Sequence, residues 1–307
     1  MAINRAQLVK ELEPGLNALF GLEYQQYGDE TGIIFDTESS DRAFEEEVMI
    51  GGFGAAPTKG EGAGVTYDSA QEAWTARYTH ETIALAFALT EEAIEDNLYD
   101  KLASRYTKAL ARSMAHTKNV KGAAILNNAF NSGYTGGDNK ELCATDHPLL
   151  SGGTLSNELT SAADLNETSL ESALIQIADM VDERGLKAAV RGMSLIIPSE
   201  LSFVAERVLK SELSTTIANS ATNVNDVNAI RSKGMLSGGY DVNHYLTDAD
   251  AWFIKTDAPN GLKHFQRASM KTGMEGDFET GNVRYKARER YVFGWSDPRS
   301  IFGTPGA

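Results

Sequence analysis

The strongest pattern of apolar and polar positions follows Thr90. Ile94, Leu98, Leu102, Tyr106, Leu110, Met114 and Thr117 recur at three- and four-residue spacing, the stripe of an amphipathic helix. Thr90 stands where an N-cap belongs, and Glu91, Glu92, Glu95 and Asp96 occupy the positive end of the helix dipole. Neither Gly nor Pro intervenes before Gly122, so the helix is predicted from 91 to about 121, roughly 45 Å at 1.5 Å per residue. Just upstream the period changes to two. Ile83, Leu85, Phe87 and Leu89 alternate with Ala84, Ala86 and Ala88, as in a strand. Val48 to Gly54, a tip rich in turn formers (Pro57, Gly60, Gly62, Gly64), and Trp74 to His80 precede it. Together these predict one long β-hairpin over 48–89.

The other elements are shorter. Thr168-x-x-Glu171 reads as a capping box for a helix with Leu170, Leu174, Ile177 and Val181 inward and a stop at Gly185. Met193 to Ile197 reads as a buried strand, and Pro198-Ser199 opens a helix with Leu201, Val204, Val208 and Leu209 on its inner face. Two strand-like runs follow, Val242 to Leu246 and Ala251 to Ile254, then a strand pair near 262–272 and 282–294 around Gly276 to Gly281. Residues 131–166 read as loop, and 211–240 are polar and poorly periodic. The first fifty residues show Leu8 and Leu12, then Pro14-Gly15, and no sustained period afterwards; they read as an extended arm. The last strand is the most regular. Val283, Tyr285, Ala287, Tyr291 and Phe293 share one face, interrupted by Glu289, and Arg284, Lys286, Arg288 and Arg290 share the other.

Charge sharpens this outline. The chain has 307 residues, 28 Lys+Arg and 43 Asp+Glu, a net charge of −15. That argues against general nucleic-acid binding but leaves room for a local basic face. The acids are concentrated in residues 1–50, eleven against three bases. Lys101, Arg105, Lys108, Arg112, Lys118 and Lys121 face no acid between 101 and 126. An arm, from the same or an adjacent subunit, is therefore expected to lie near Lys101 to Lys121, with Lys108, Arg112 and Lys118 at the contact; the alternative is a solvated basic face. An apolar fraction of 42% excludes wholesale disorder. The longest apolar runs fall far short of the ~20 residues of a membrane span, and Met1 to Arg5 lack the apolar stretch of a signal peptide. A soluble protein made in the cytoplasm, with no membrane partner, is expected.

Catalytic signatures are absent. Cys143, the only cysteine, rules out a disulfide framework and a Cys-rich zinc module. The glycines of 51–64 lack the Gly-Lys-Ser/Thr ending of a phosphate loop and the third glycine of a dinucleotide loop. Cys143-Ala144-Thr145-Asp146-His147 groups a thiol, a carboxylate and an imidazole, but five consecutive residues seldom converge as nucleophile and base, and they are too few for zinc. His80, His116, His244 and His264 are scattered. No catalytic residue, cofactor or metal is expected, although a site built from scattered residues would leave no motif.

The order of elements is acidic arm, Gly-tipped hairpin, very long helix, second helix, α/β insert and terminal strand pair. It resembles the major capsid proteins of tailed bacteriophages, the Hong Kong 97-type fold. Met193-Ser194-Leu195-Ile196-Ile197-Pro198-Ser199-Glu200-Leu201 is similar to the strand–proline–helix opening that family's axial (A) domain. Lys286-Ala287-Arg288-Glu289-Arg290-Tyr291-Val292-Phe293-Gly294-Trp295 is similar to its last peripheral (P) domain strand. The resemblance implies an α+β chain divided into an N-terminal arm (1–47), an extended hairpin or E-loop (48–89), a P-domain with a spine helix (90–189), an A-domain (190–261) and terminal P-domain strands (262–307). It also implies a structural, non-enzymatic subunit of an icosahedral shell of hexamers and pentamers around double-stranded DNA, assembled in the bacterial host cytoplasm and carried in the virion capsid. No long charged helical region precedes the arm, which implies a separate scaffolding protein; a portal, and room for a decoration protein, follow from the same family. Candidate subunit contacts are Lys59, Trp74, Arg77, Lys108, Arg112, Lys118, Arg284, Lys286, Arg288 and Arg290. An encapsulin-like nanocompartment shell and an acidic α+β enzyme with an unrecognised site remain the alternatives.

Overall fold

The computed structural model describes residues 5–90, 92, 99–214, 227–277 and 281–307. Helix α1 (Arg5–Gln26) is followed by a one-turn α2 (Thr31–Ile34) and the strands β1 (Asp36–Ser39), β2 (Phe44–Gly51), β3 (Gln71–Thr79) and β4 (Glu81–Leu89). The long helix is α3 (Tyr99–Asn127); β5 (His147–Pro148), β6 (Thr154–Leu155), α4 (Glu167–Asp179) and β7 (Gly192–Ile197) come next. Then follow α5 (Ser202–Lys210), α6 (Ala229–Ser232), β8 (Tyr240–Val242), β9 (Trp252–Thr256), β10 (Leu262–Gly276), β11 (Val283–Trp295) and β12 (Ile301–Thr304). The mixed α+β class is as expected.

Two four-stranded sheets organise the chain, in the orders β1-β10-β11-β4 and β12-β9-β7-β8. The first corrects the hairpin. Phe44 pairs with Thr79 and Gly51 with Gln71, so β2 and β3 alone form it. After the buried His80 the chain leaves the hairpin, and β4 pairs antiparallel with β11, Glu81 opposite Tyr291 and Leu89 opposite Val283. The period-two run at 83–89 was legible as a strand, but its partner lies about two hundred residues away, beyond any local pattern. In the second sheet Ile301–Thr304 pair with β9, from Lys255 to Trp252.

The arm is also different from expectation. Residues 5–26 are helical through Pro14, and Leu16 and Phe20 pack with Leu110, Met114 and Tyr285. Glu23 hid the period because it is a charge at a buried position, 5% exposed. The side chains of Leu8 and Leu12 lie outside the described residues. Helix α3 runs past Gly122, which is a contact and not a stop: a Cβ there would lie 2.5 Å from Thr31 Cγ2. Glycine lets α2 come against the helix. Ala103, Thr107, Leu110, Ala111, Met114 and Leu126 form the buried side of α3, whereas Tyr106 is exposed and meets the Phe87 ring at 5.7 Å. Ile94 and Leu98, and the side chains of Lys101 and Leu102, lie outside the described residues.

Around the second sheet, α4 and α5 bury Leu170, Ile177 and Ala205 against Leu195, Trp252, Ile254 and Phe302. The capping box of α4 is shifted by two residues. The Asn166 side chain accepts from the Ser169 N–H at 2.9 Å, and the Ser169 hydroxyl accepts from the Asn166 N–H at 3.0 Å.

Candidate assembly surface

The hairpin exposes apolar side chains on one side. In β2 the burial alternates, leaving Phe44, Val48 and Ile50 exposed on one face. Phe53 and Val65 are exposed beyond the strands, and Tyr67 is 95% exposed. Lys59 is exposed at the tip. Arg77 lies over the Phe44 ring at 4.1 Å and 3.8 Å from Glu46, so it belongs to the hairpin's own surface. Trp74 is half-buried against Gly137, where a Cβ would lie 2.9 Å from Trp74 Cδ1.

The hairpin is fastened at both ends, in different ways. At its base the Ser296 hydroxyl donates to Glu47 and so accepts from the Tyr78 hydroxyl. Burial pushes the Tyr78 phenol up, keeping it protonated. Lys263, nearly buried, pairs with Glu38 and lies 3.6 Å from Glu47. Toward the tip, Arg184 forks onto both Asp68 oxygens at 3.0 Å, and the Gly54 N–H donates to Asp68 at 2.8 Å. The Gly54 and Ser69 amides, with Arg184, hold the Asp68 carboxyl below its usual range.

The arm and the basic helix meet within one subunit. Glu23 lies 2.8 Å from Arg112 and 3.7 Å from Lys108, Asp29 lies 2.7 Å from Lys118, and Lys121 pairs with Glu81. The expected proximity is therefore realised by the chain's own arm, and Lys108, Arg112 and Lys118 have partners before any neighbour arrives.

The terminal strand follows its alternation. Val283, Tyr285, Ala287 and Tyr291 are buried; Arg284, Lys286 and Arg288 are exposed and Arg290 is half-buried. Glu289, the interruption, is buried and accepts from Tyr24 of the arm. Burial pushes its carboxyl up, against the lowering effect of that hydrogen bond. Arg284 pairs with Asp277 at 2.6 Å. Among the described residues no carboxylate pairs with Lys286 or Arg288. Their register neighbours are Ala86 and Ala84 on β4, and Gly273 and Lys271 on β10, so both cations stand above a floor of small side chains with a third cation beside them.

The sequence cluster at 143–147 is taken apart by the fold. Cys143 is buried, which pushes its thiol well up. His147 is held on one ring nitrogen by Asp138 at 2.6 Å and on the other by Asn157 at 3.1 Å. Asp146 pairs with Lys140. The remaining histidines are engaged separately: His80 with Ser40, His264 with Thr37, His244 with Glu30, and His116 against the Tyr245 ring. Burial pushes His264 down to about 4. Among the described residues there is no group of three or more His, Cys, Asp and Glu that would hold a metal ion, and no helix long and apolar enough to cross a membrane.

Sequence reasoning missed two buried nodes. The Asn157 amide nitrogen donates to the carbonyls of Leu142, Pro298 and Ile301, and its oxygen accepts from the Ala144 N–H. Arg299 binds Asp297 through several bonds and Glu183 at 3.1 Å. Neither leaves a signal in a single sequence, because each joins loops distant along the chain.

This topology is that of the Hong Kong 97-type fold, the class of shell-forming structural subunits. The family model described as phage capsid protein matches residues 71–303, and the chain belongs to that family. The fold is similar to that of the capsid structure of the cyanophage P-SCSP1u (12% identity, TM-score 0.56, covering 89% of this chain and 86% of that one). It is similar also to a virus-like particle from Pyrococcus furiosus (12% identity, TM-score 0.51, 94% and 97%) and to the procapsid of bacteriophage JBD30 (15% identity, TM-score 0.52, 98% and 76%). No curated protein sequence matches the chain. As a phage capsid protein, the chain is a structural subunit of a virion capsid.

Proposed function

We propose that the hairpin of residues 44–79 reaches over a neighbouring copy and links subunits into hexamers and pentamers of an icosahedral shell that encloses double-stranded DNA. The observation that carries this reading is the set of exposed apolar side chains on the outer part of the hairpin, Ile50, Phe53, Val65 and Tyr67. Exposed apolar surface of this kind is covered in an interface. The role is structural and needs no catalytic group. A separate scaffolding protein, a portal and assembly in the bacterial host cytoplasm complete the reading, and the family match favours it over a nanocompartment. Lys286 and Arg288, without an ion-pair partner among the described residues, supply charge for carboxylates of an adjoining subunit.

Limited trypsin digestion of free and assembled protein, followed by mass spectrometry and negative-stain microscopy, tests it. The Lys59–Gly60 bond is expected to be cut first in free subunits and to be protected in shells. Equal cutting in both states would remove the hairpin from the subunit contact.

A further inference from the structure

Helix α5 carries an uncovered aromatic side chain. Ala205 and Val208 bury one side of it, and Phe203, on the opposite side, is 79% exposed. Glu200 lies three residues before Phe203 and Arg207 four residues after it, the spacing that places side chains beside one another on a helical surface. Arg207 Nε donates to the Phe203 carbonyl at 3.2 Å, which keeps the guanidinium at that spot.

Elsewhere on the same sheet layer, α4 and the α6 region enclose a groove of about 360 Å³. Its walls are Leu174, Ile175, Ala178, Ile230 and Met235, and Glu171 and Lys233 line it as well. Ile175 is 64% exposed, so the apolar wall is open to a partner. Among the described residues none of Glu200, Arg207, Glu171 and Lys233 has an ion-pair partner in its own chain.

We infer that Phe203 of one copy docks into the Ile175–Met235 groove of a second copy, with Arg207 facing Glu171 and Glu200 facing Lys233. The inference rests on the shell-forming reading above and adds to it a contact distinct from the hairpin. Glu206, at i+3 from Phe203, is paired with Lys210, so each surface sets apolar area beside one acid and one base without an ion-pair partner among the described residues, and the free charges of one are met by opposite charges of the other. A polyanion would be repelled by Glu200 and would leave the phenyl ring unused; a second copy satisfies both. Knob and groove use different residues, so the contact is head-to-tail, and such contacts close into rings when the rotation permits. An aromatic side chain in an apolar pocket with charge at its rim is the usual make-up of an interface centre.

Disulfide trapping in the full-length protein tests the contact. Cys143 is buried, so Phe203→Cys and Ile175→Cys each add the only accessible thiol. Oxidised glutathione takes up the two electrons and two protons as the bond forms, which requires the two Cα atoms to lie within about 7 Å. A mixture of the two variants under assembly conditions is expected to give mainly 203–175 dimers, and the double variant a ladder of cross-linked oligomers. A second measurement keeps Phe203 in place. Arg207→Glu should lower the yield of assembled particles about two- to five-fold, the range of one surface pair, and adding Glu171→Arg should restore it. Particles that form at normal yield in Arg207→Glu and give no mixed dimers would overturn this contact and leave the shell reading intact. Dominant 203–203 dimers would also overturn it. Absence of particles from the unaltered protein under every condition would overturn the shell reading and this contact with it.

Discussion

The Tyr24 hydroxyl donates to the Glu289 carboxylate at 2.9 Å, joining the arm helix to the terminal strand across 265 positions of sequence. Glu289 sits on the apolar face of β11, only 2% exposed. Tyr24→Phe would leave that carboxylate without its donor in a buried place, a loss of about 1–3 kcal/mol. Urea unfolding at pH 8 should show it, and Glu289→Gln, which removes the charge, should recover part of the loss in the Tyr24→Phe background. Equal midpoints for Tyr24→Phe and the parent would mean the hydroxyl does not support the strand.

Stability should also depend on pH through Glu183. Burial pushes its carboxyl from the ordinary 4.5 up to about 7, against the pull of Arg299, and among the described residues its Oε2 has no hydrogen-bond partner. The folded chain therefore binds this proton more tightly than the unfolded chain. Stability is expected to fall as pH rises from about 4.5 to 7, by about 3 kcal/mol at most. Glu183→Gln has no proton to lose, so its midpoint should stay flatter over that window. The idea fails should the two proteins show the same slope.

Reversal of two exposed charges separates assembly from folding. Lys286→Glu with Arg288→Glu touches no ion pair among the described residues, so subunit stability should change by no more than about 0.5 kcal/mol. Closed shells should nevertheless become rare, because the face then repels the carboxylates proposed to meet it. Normal shells in the micrographs would return these cations to simple solvation.

Asn157 is expected to be among the least replaceable side chains. Asn157→Asp keeps the volume but sets an oxygen against the carbonyls of Leu142, Pro298 and Ile301. A loss of ~3 kcal/mol or more follows from several unmet buried groups, read as a lower thermal midpoint or as insoluble expression. A variant with parental stability would show that the loops hold without this amide.

Elements whose order comes from their own sequence were legible. The two-residue period of β11 gave its faces residue by residue, with Glu289 marked as the exception that the arm explains. The long helix and the strand at 192–197 were equally plain. What was missed depends on distant partners. Glu23 and Tyr24 read as polar interruptions until Arg112 and Glu289 are brought to them. Gly122 reads as a helix stop until Thr31 occupies the space it leaves. Strand β4 reads as part of the hairpin because nothing in residues 81–89 names β11 as the partner. Of the candidate contacts, the basic side chains of the helix were placed against the arm by charge alone, and the structure supplies the arm from the same chain. Asn157 and Glu183 carry no pattern, since their role arises only from loops meeting in space.

The two fastenings of the hairpin make it a lever. Its pivot is the Tyr78–Ser296–Glu47–Lys263 joint, in which Tyr78 and Lys263 are buried, while its far arm is restrained by the more exposed pair of Arg184 and Asp68. Salt screens the second more than the first. Releasing the tip therefore leaves the pivot in place. Identical subunits can then sit in unlike surroundings, the requirement of any closed surface that mixes two kinds of ring, without refolding any part of the molecule.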